Sequence, residues 1–439
     1  MDAGFGRDSL RAATFGRMPI MRHHFVNLLA VVGLLAAALT VSGCGDSSAA
    51  AGTPQAGTVD AGKAPMIRVL LYRDVPVITI AADGSVIAGR TEDRPPVRLS
   101  LPDAPVRVAR AARGWKIGDA SIAGDVLTLT PGQDGDITLG DRSYRGRLRL
   151  VPRETGRFDV VNDLDLESYL AGVLPKELPP TWHDETFAAQ AVVARTYALY
   201  EIRTAGGRRG HFDVYDNTNS QVYGGSLAET PKAREAVFRT RGQVVAQDTD
   251  VGPRIFKAYF HSTSGGVTLG ADEAFNEPPS AALSPQQLGD LGNASSRFEW
   301  DPVLIDKSEL TRRIKAWGER RKHPLAKMSQ LVELRINRTN AFGRPTRFEI
   351  IDARGDRYVL TAEETRWAVN SDRRDAPALL SGWFKPINNP RTVVFANGRG
   401  WGHGVGMCQW SAQGMAARGD DYRQILARSY PTSSVLRAY

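Results

Sequence analysis

Residues 164–200 read "LDLESYLAGVLPKELPPTWHDETFAAQAVVARTYALY", and two helices around a stiff joint account for the pattern. Asp165 stands where a side chain caps the free amides of a first turn, and Pro175 is expected to close that short helix. From Asp184, the expected cap of a second helix, "DETFAAQAVVARTYALYEIRT" (184–204) is apolar on nearly every face. A helix with no polar side has no face for water, so this one is expected inside the fold. Gln190 and Arg195 then lie in the interior and must find polar partners. They are expected to brace neighbouring loops, including the one that bears Glu177. Glu177 itself stands between Pro175, Leu178, the prolines 179–180 and Trp182. Apolar surroundings disfavour a carboxylate's charged form, so such a group can hold a proton to donate. An isolated loop glutamate serves equally well as a surface or capping residue.

Outward from this stretch toward the N-terminus, "IRVLLY", "PVITIAA", "VRVARAA", "VLTLTP" and "GRLRLVP" are short β-branched runs between Gly, Pro and Asp turns. Residues 66–152 therefore read as a β-rich domain. Residues 44–65 are small, polar and poor in apolar side chains, as a flexible tether is. Residues 1–43 hold arginines, the apolar run "FVNLLAVVGLLAAALTV" and the small residues "SG" before Cys44. That order is a secretory signal. "TVSGC" resembles a bacterial lipobox, so Cys44 is expected to carry lipid and to hold an exported chain on a membrane, facing periplasm or cell wall. Cys408 is the only other cysteine, which excludes a disulfide framework and a four-cysteine zinc site. The net charge is +8. Four arginines against two aspartates leave with residues 1–43, so the remainder keeps +6. Spread over so long a chain, that bias suits an anionic wall polymer or membrane surface and not a nucleic acid.

Toward the C-terminus the runs "GQVVAQ", "RIFKAYFHSTSGG", "LVELRINRT", "RFEIIDA" and "YVLTA" read as strands. "DKSELTRRIKAWGERRK" (306–322) reads as a surface helix with its Lys and Arg in solvent. The class is α+β: a β-rich N-terminal domain, then a mixed strand and helix core (153–439) with one buried Ala-rich helix. "YDNTNSQVYGG" (215–225) offers Tyr215, Asp216, Gln221 and Tyr223, a mixture of hydrogen-bonding groups and flat rings suited to sugars; a self-satisfied turn has the same composition. "AYFHSTSGGVT" (258–268) places His261, Ser262 and Ser264 before a Gly-Gly turn without a nucleophile-elbow pattern. "NGRGWGHGVGMCQWSAQGMAARG" (397–419) sets His403 among alternating glycines, which let backbone pass close to another surface. No H-E-x-x-H or C-x-x-C spacing points to a metal.

Taken together, and in this order, "LDLESYLAGVLPKELPPTWHDETFAAQAVVARTYALY", "YDNTNSQVYGG", "AYFHSTSGGVT" and "GRGWGHGVGMCQWSAQGMAARGDDYRQILARSYPTSSV" resemble the stage II sporulation protein D family, which includes the amidase enhancers. The resemblance runs from about Met66 to the C-terminus and is weakest over 66–150 and 270–330, the latter read as a divergent insertion. It implies a lytic transglycosylase acting on peptide-stripped peptidoglycan glycan strands, with Glu177 at the position of the family's acid. Tyr215, Asp216, Gln221, Tyr223, Ser262, Ser264 and His403 are then expected to hold glycan, with Gln190, Arg195 and His261 in support. Glu167 also matches, but reads better as a helix-terminus charge. Some relatives carry a zinc site of histidine and cysteines near the position of His261; here no cysteine lies beside it in sequence, so no cofactor is expected. The other branch of the family implies a non-catalytic alternative, a wall-bound enhancer of an amidase partner.

Overall fold

Two sheets, antiparallel except for the parallel edge strand Val214–Tyr215, carry the N-terminal half of the chain. In a computed structural model, residues 62–439 are described except 83–84, 91–95, 102–103, 133–134 and 374–378; the expected signal and Cys44 lie outside the described residues. The larger sheet runs, edge to edge, Val214–Tyr215, Met66–Val75, Phe158–Asp165, Arg147–Pro152, Leu127–Pro131, Ser85–Arg90 and Val97–Ser100. The second has six strands, with Val77–Ala82 and Val106–Ala111 at its centre. Pairing of Arg147 with Asp163 and of Met66 with Asp165 carries the first sheet across residue 152. The β-rich segment and the start of the core thus share one sheet and one hydrophobic cluster, Ile67, Leu129 and Val160 packing with Leu170, Val173 and Phe187.

The strand Phe158–Asp165 runs straight into helix α1 (Leu166–Glu177), whose first amides, those of Glu167 and Ser168, both donate to the Asp165 carboxylate at 3.1 Å. Pro175 does not end α1. It sits in the last turn, where only one intrahelical hydrogen bond is forfeited, and the amide of Leu178 closes the helix on the Leu174 carbonyl at 3.0 Å. Helix α2 (Asp184–Arg209) is capped one residue earlier than expected: His183 holds that place, and Asp184 is the first helical residue.

Residues 186–199 of α2 are buried without a break. One side, with Phe187, Ala191, Ala194 and Ala198, joins the core of the sheets. The other, with Ala188, Ala189, Val192 and Val193, packs a second cluster that holds Ala258, Val405, Met407, Ala412 and Ile425. Small side chains let both layers approach the helix axis. Helices α3 (Pro231–Arg239), α4 (Ala271–Phe275), α5 (Lys307–Arg321), α6 (Ala362–Asn370), α7 (Gln409–Ala417) and α8 (Tyr422–Ser429) complete the core.

A third cluster spans Val303 to Phe395, with two three-stranded sheets around α5 and α6. Ala271 and Ala274 of α4 belong instead to the second cluster. Nor is α5 basic only toward solvent: Arg313 is 1% exposed and donates to Glu309 at 2.8 Å and to the Val369 carbonyl at 3.2 Å. Among the described residues no helix is long and apolar enough to cross a membrane.

One buried carboxylate gives the sheet an acid limit. Burial alone would raise the pKa of Asp159, but the His211 ring at 2.9 Å, the Asp74 amide at 2.8 Å and the charge of Arg153 outweigh it and hold the group below its ordinary value. A depressed folded pKa stabilises above the unfolded value and is lost as pH falls through the folded one. The urea midpoint is therefore expected to drop below about pH 4, and Asp159→Asn should flatten that part of the profile. An unchanged slope would remove Asp159 from the account.

Candidate functional site

Glu177 is the last residue of α1 and is only partly buried. The joint that follows it is pinned from several sides. Lys232 of α3 donates to the Trp182 carbonyl at 2.7 Å. The amide of His183 and the hydroxyl of Thr186 both donate to Oε1 of Gln413 on α7, at 3.0 and 2.9 Å. Trp182 also meets Trp410 edge to face, with ring centroids 4.8 Å apart. The first turn of α7 is thereby clamped against the α1–α2 joint, although more than 200 residues separate them in sequence.

That clamp brings Gln409 to the acid. Its Nε2 lies 3.5 Å from Oε2 of Glu177 and 3.4 Å from Oε1 of Gln190, and the Val222 amide donates to Oε1 of Glu177 at 3.2 Å. Burial raises the Glu177 pKa, and the donors Val222 and Gln409 oppose it only in part. Neutral donors stabilise a carboxylate less than a guanidinium does, so burial prevails. At the other end of the same helix the partner is a guanidinium. Glu167 accepts from Nε and Nη2 of Arg195 at 3.0 and 2.7 Å and from the Gly242 amide at 3.2 Å. Arg195 also donates to the carbonyls of Gln243 and Val237. It thus braces the start of α1 and not, as expected, the end that bears Glu177; Gln190 is the α2 side chain beside Glu177, through Gln409. Glu167 is the buried partner in an ion pair, more than the helix-terminus charge expected of it.

The 215–225 segment reaches the acid with its backbone. Gln221 and Tyr223 are each 1% exposed. Gln221 accepts from the Tyr169 hydroxyl at 3.3 Å, and the Tyr223 hydroxyl donates to Asn162 at 3.1 Å. Both side chains are committed to the protein, which corrects their expected place at a ligand surface. Their physical role is to fix the Val222 amide between them. Tyr215 packs edge-on to Phe212 under the Arg209 guanidinium. Asp216 accepts from Arg142 at 3.3 Å, while burial pushes its pKa up. Both keep some surface.

His261, Ser262, Ser264 and His403 gather in a second cluster. The strand Phe260–His261 pairs in parallel with Met407–Cys408, and Thr263 bridges Trp401 on its other side. Ser264 is 1% exposed, its hydroxyl accepting from the Gly266 amide, so it shapes the Gly-Gly turn and does not face a ligand. Ser262 is partly exposed and meets the Thr263 hydroxyl at 3.2 Å. His403 does not begin a helix. It accepts from the Val405 amide at 3.0 Å and packs edge-on to Tyr259 and Phe275. Burial, helped by the charge of Arg366, carries its pKa down to about 3, and burial lowers His261 strongly as well. Both rings are neutral at ordinary pH.

The alternating glycines serve this cluster. Gly400, Gly402, Gly404 and Gly406 all have positive φ. A Cβ on Gly406 would lie 2.0 Å from the Tyr259 carbonyl, and one on Gly404 would enter the buried Arg344 guanidinium. The close approach is thus to protein, not to an open ligand cleft. Gly406→Ala, at φ +68°, is expected to cost upwards of about 2 kcal/mol from strain and collision together. Thermal denaturation reads this directly, and a midpoint within error of wild type would reject it.

Tertiary pairing sets Cys408 opposite His261, a neighbour the linear sequence does not reveal. The pair offers a zinc ion two donors at most, Nε2 of His261 being buried without a partner. Sγ of Cys408 takes the amides of Ser264 and Ser411, and Nδ1 of His261 meets the Val405 carbonyl at 3.1 Å. Among the described residues no three His, Cys, Asp or Glu side chains converge as ligands. Sequence reading missed Gln409 and the Val222 amide. The first lies three residues past the glycine run, with nothing local to link it to Glu177; the second is backbone, which leaves no residue-type signal.

A family model described as "Stage II sporulation protein" matches residues 154–246, the span that holds α1, Glu177, α2 and the Val222 loop. Over 367 residues the chain is 30% identical to an uncharacterised protein of Brachyspira hyodysenteriae, covering 83% of this chain and 91% of that one. It is 27% identical to the amidase enhancer of Bacillus subtilis over 61% of its own length, which spans 40% of the enhancer. It is 26% identical to stage II sporulation protein D of the same organism, over 63% of this chain and 76% of that protein.

Proposed function

From the premise that the chain belongs to the stage II sporulation protein D and amidase-enhancer family, we propose that it is a lytic transglycosylase that remodels peptidoglycan, cutting peptide-stripped glycan strands with Glu177 as its single acid and base. The observation that carries this reading is a partly exposed carboxyl, raised in pKa by burial and held by two neutral donors from distant segments. A two-carboxylate hydrolase sets its pair within about 10 Å. Glu167, the other acid of α1, is ten residues away, about 15 Å along the helix, and is engaged by Arg195.

With one acid, the sugar supplies the nucleophile. Glu177 gives its proton to the glycosidic oxygen as the bond to the anomeric carbon breaks, and the C6 hydroxyl of the same sugar attacks that carbon. The hydroxyl proton passes to the Glu177 carboxylate, leaving a 1,6-anhydro end and a restored acid without water. Tyr215, Asp216, Ser262 and His403 keep partial exposure and are the candidates for glycan contact. Export and a lipid on Cys44 would place the chain at its substrate.

The relation to an amidase enhancer favours a second reading, a wall-bound partner that stimulates an amidase without cutting. Incubating the protein with peptide-free strands and seeking anhydro-ended products by mass spectrometry separates the two. Products that vanish in Glu177→Gln support cleavage, and equal products from both reject the assignment. Binding without products, with faster cleavage by an added amidase, supports the enhancer. Loss of products on chelation would point instead to a metal held at the buried, unpartnered Nε2 of His261.

A further inference from the structure

Gln190 is fully buried on α2, yet its Nε2 has no acceptor. An orphaned buried amide donor is costly, and this one belongs to the side chain that abuts the acid's own partner. Three groups form a row: the Glu177 carboxyl, the Gln409 amide and the Gln190 amide. Gln409 is 6% exposed, and its single Nε2 serves both Oε2 of Glu177 and Oε1 of Gln190. The row is complete when Glu177 is ionised, apart from the stranded Gln190 donor. Once Glu177 is protonated at Oε2, its O–H faces an N–H and has no acceptor.

We infer that Gln190 and Gln409 turn over together as a reversible amide pair that completes the hydrogen bonds of Glu177 in both of its protonation states. The oxygen and nitrogen of a glutamine amide occupy nearly the same space, so turning it exchanges donor for acceptor with little change in packing. In the reversed row, Oε1 of Gln409 accepts from the protonated Glu177 and also from Nε2 of Gln190, whose Oε1 takes the unpartnered place, a lesser cost for an acceptor than for a donor. No proton is created or lost; the pair only re-aims dipoles around the one that Glu177 binds. The inference rests on the acid–base reading above and deepens it, because one carboxyl acting first as acid and then as base needs its surroundings to suit both forms. Gln190 and Gln409 are positioning residues in this scheme.

The other groups on the packed elements leave the pair to act on Glu177 alone. Tyr169 of α1 feels the Glu177 charge, but burial keeps its phenol protonated. Asp216 of the Val222 loop is engaged by Arg142, Lys232 of α3 is committed to the Trp182 carbonyl, and Lys176 and His183 beside the site are exposed.

The test is a pH titration of the full chain, with glutamine side-chain amides followed by nitrogen-edited NMR. Gln190→Met and Gln409→Met identify the two signals by their disappearance. As Glu177 is protonated, the Gln190 donor proton should move downfield on gaining an acceptor, and the Gln409 protons upfield on leaving Oε2, with one shared midpoint. Glu177→Gln should abolish both movements. If both signals move upfield, as simple loss of a nearby negative charge requires, or if Gln190 does not respond, the pair does not turn over and the inference fails. Opposed shifts in a protein that yields no anhydro product would keep the pair and sink the cleavage reading, so the two failures are told apart.

Discussion

Glu177→Gln is expected to lower the rate of glycan-strand cleavage by about a thousandfold, the middle of the range for losing a positioned general acid, while the fold persists. The substitution keeps the shape of the side chain, and its oxygen still accepts from the Val222 amide; its new amide faces Nε2 of Gln409, so only that 3.5 Å contact is forfeited, and the α7 clamp through Gln413 and Trp410 stays. Stability should not fall at neutral pH. Burial raises the folded pKa of Glu177, and such a group stabilises most below its unfolded pKa and loses that contribution as pH rises through the folded value. Replacing it with a neutral amide removes a penalty at pH 7, so the melting temperature should equal or exceed that of wild type. In the wild type, kcat/KM should decline as pH rises through the same elevated pKa, because the acid form carries the first step. A variant of full activity, or one that loses activity only by unfolding, would remove Glu177 from the chemistry.

Arg195→Met should be the most damaging single substitution outside the site, at about 3–5 kcal/mol, the usual cost of leaving a buried charge without its partner. Arg195 is fully buried, and Glu167 is 6% exposed. Without the guanidinium, Glu167 keeps only the Gly242 amide and the Tyr439 hydroxyl, while the carbonyls of Val237 and Gln243 lose their donor. The readout is the urea midpoint. Adding Glu167→Gln should recover part of the loss, because the stranded charge is most of it. If the double variant is as unstable as the sum of the single ones, packing and not charge is responsible. Since Arg195 is tied to the start of α1 and Glu177 ends it, the folded fraction of Arg195→Met should still cleave glycan with an unchanged pH profile.

The elements with strong local signals were legible. Asp165 as a cap, the largely apolar character of 184–204 and the β-branched runs of the first half each follow from side chains a few residues apart, which is the range over which helix and strand periodicity act. Errors came where a local rule met a tertiary one. Pro175 reads as a stop, yet near a helix end it forfeits little, and the packed face of α1 carries the helix on to Glu177. Arg313 reads as solvated on a basic helix, yet Glu309 and the Val369 carbonyl draw it inside. Gln221 and Tyr223 read as sugar contacts because polar and aromatic side chains in a turn look alike whether they face a ligand or a core.

By itself the sequence determined the α+β class, the central helix and the candidate acid with its apolar neighbours, because each is set by the order of side chains along a short length of chain. Only the tertiary structure decided what surrounds Glu177. The Val222 amide arrives from a loop 45 residues on and the Gln409 amide from a helix 232 residues on, and Cys408 comes to stand across from His261. Those meetings depend on how two packed layers close on either side of α2, a property of the whole chain's burial that no window of the sequence contains.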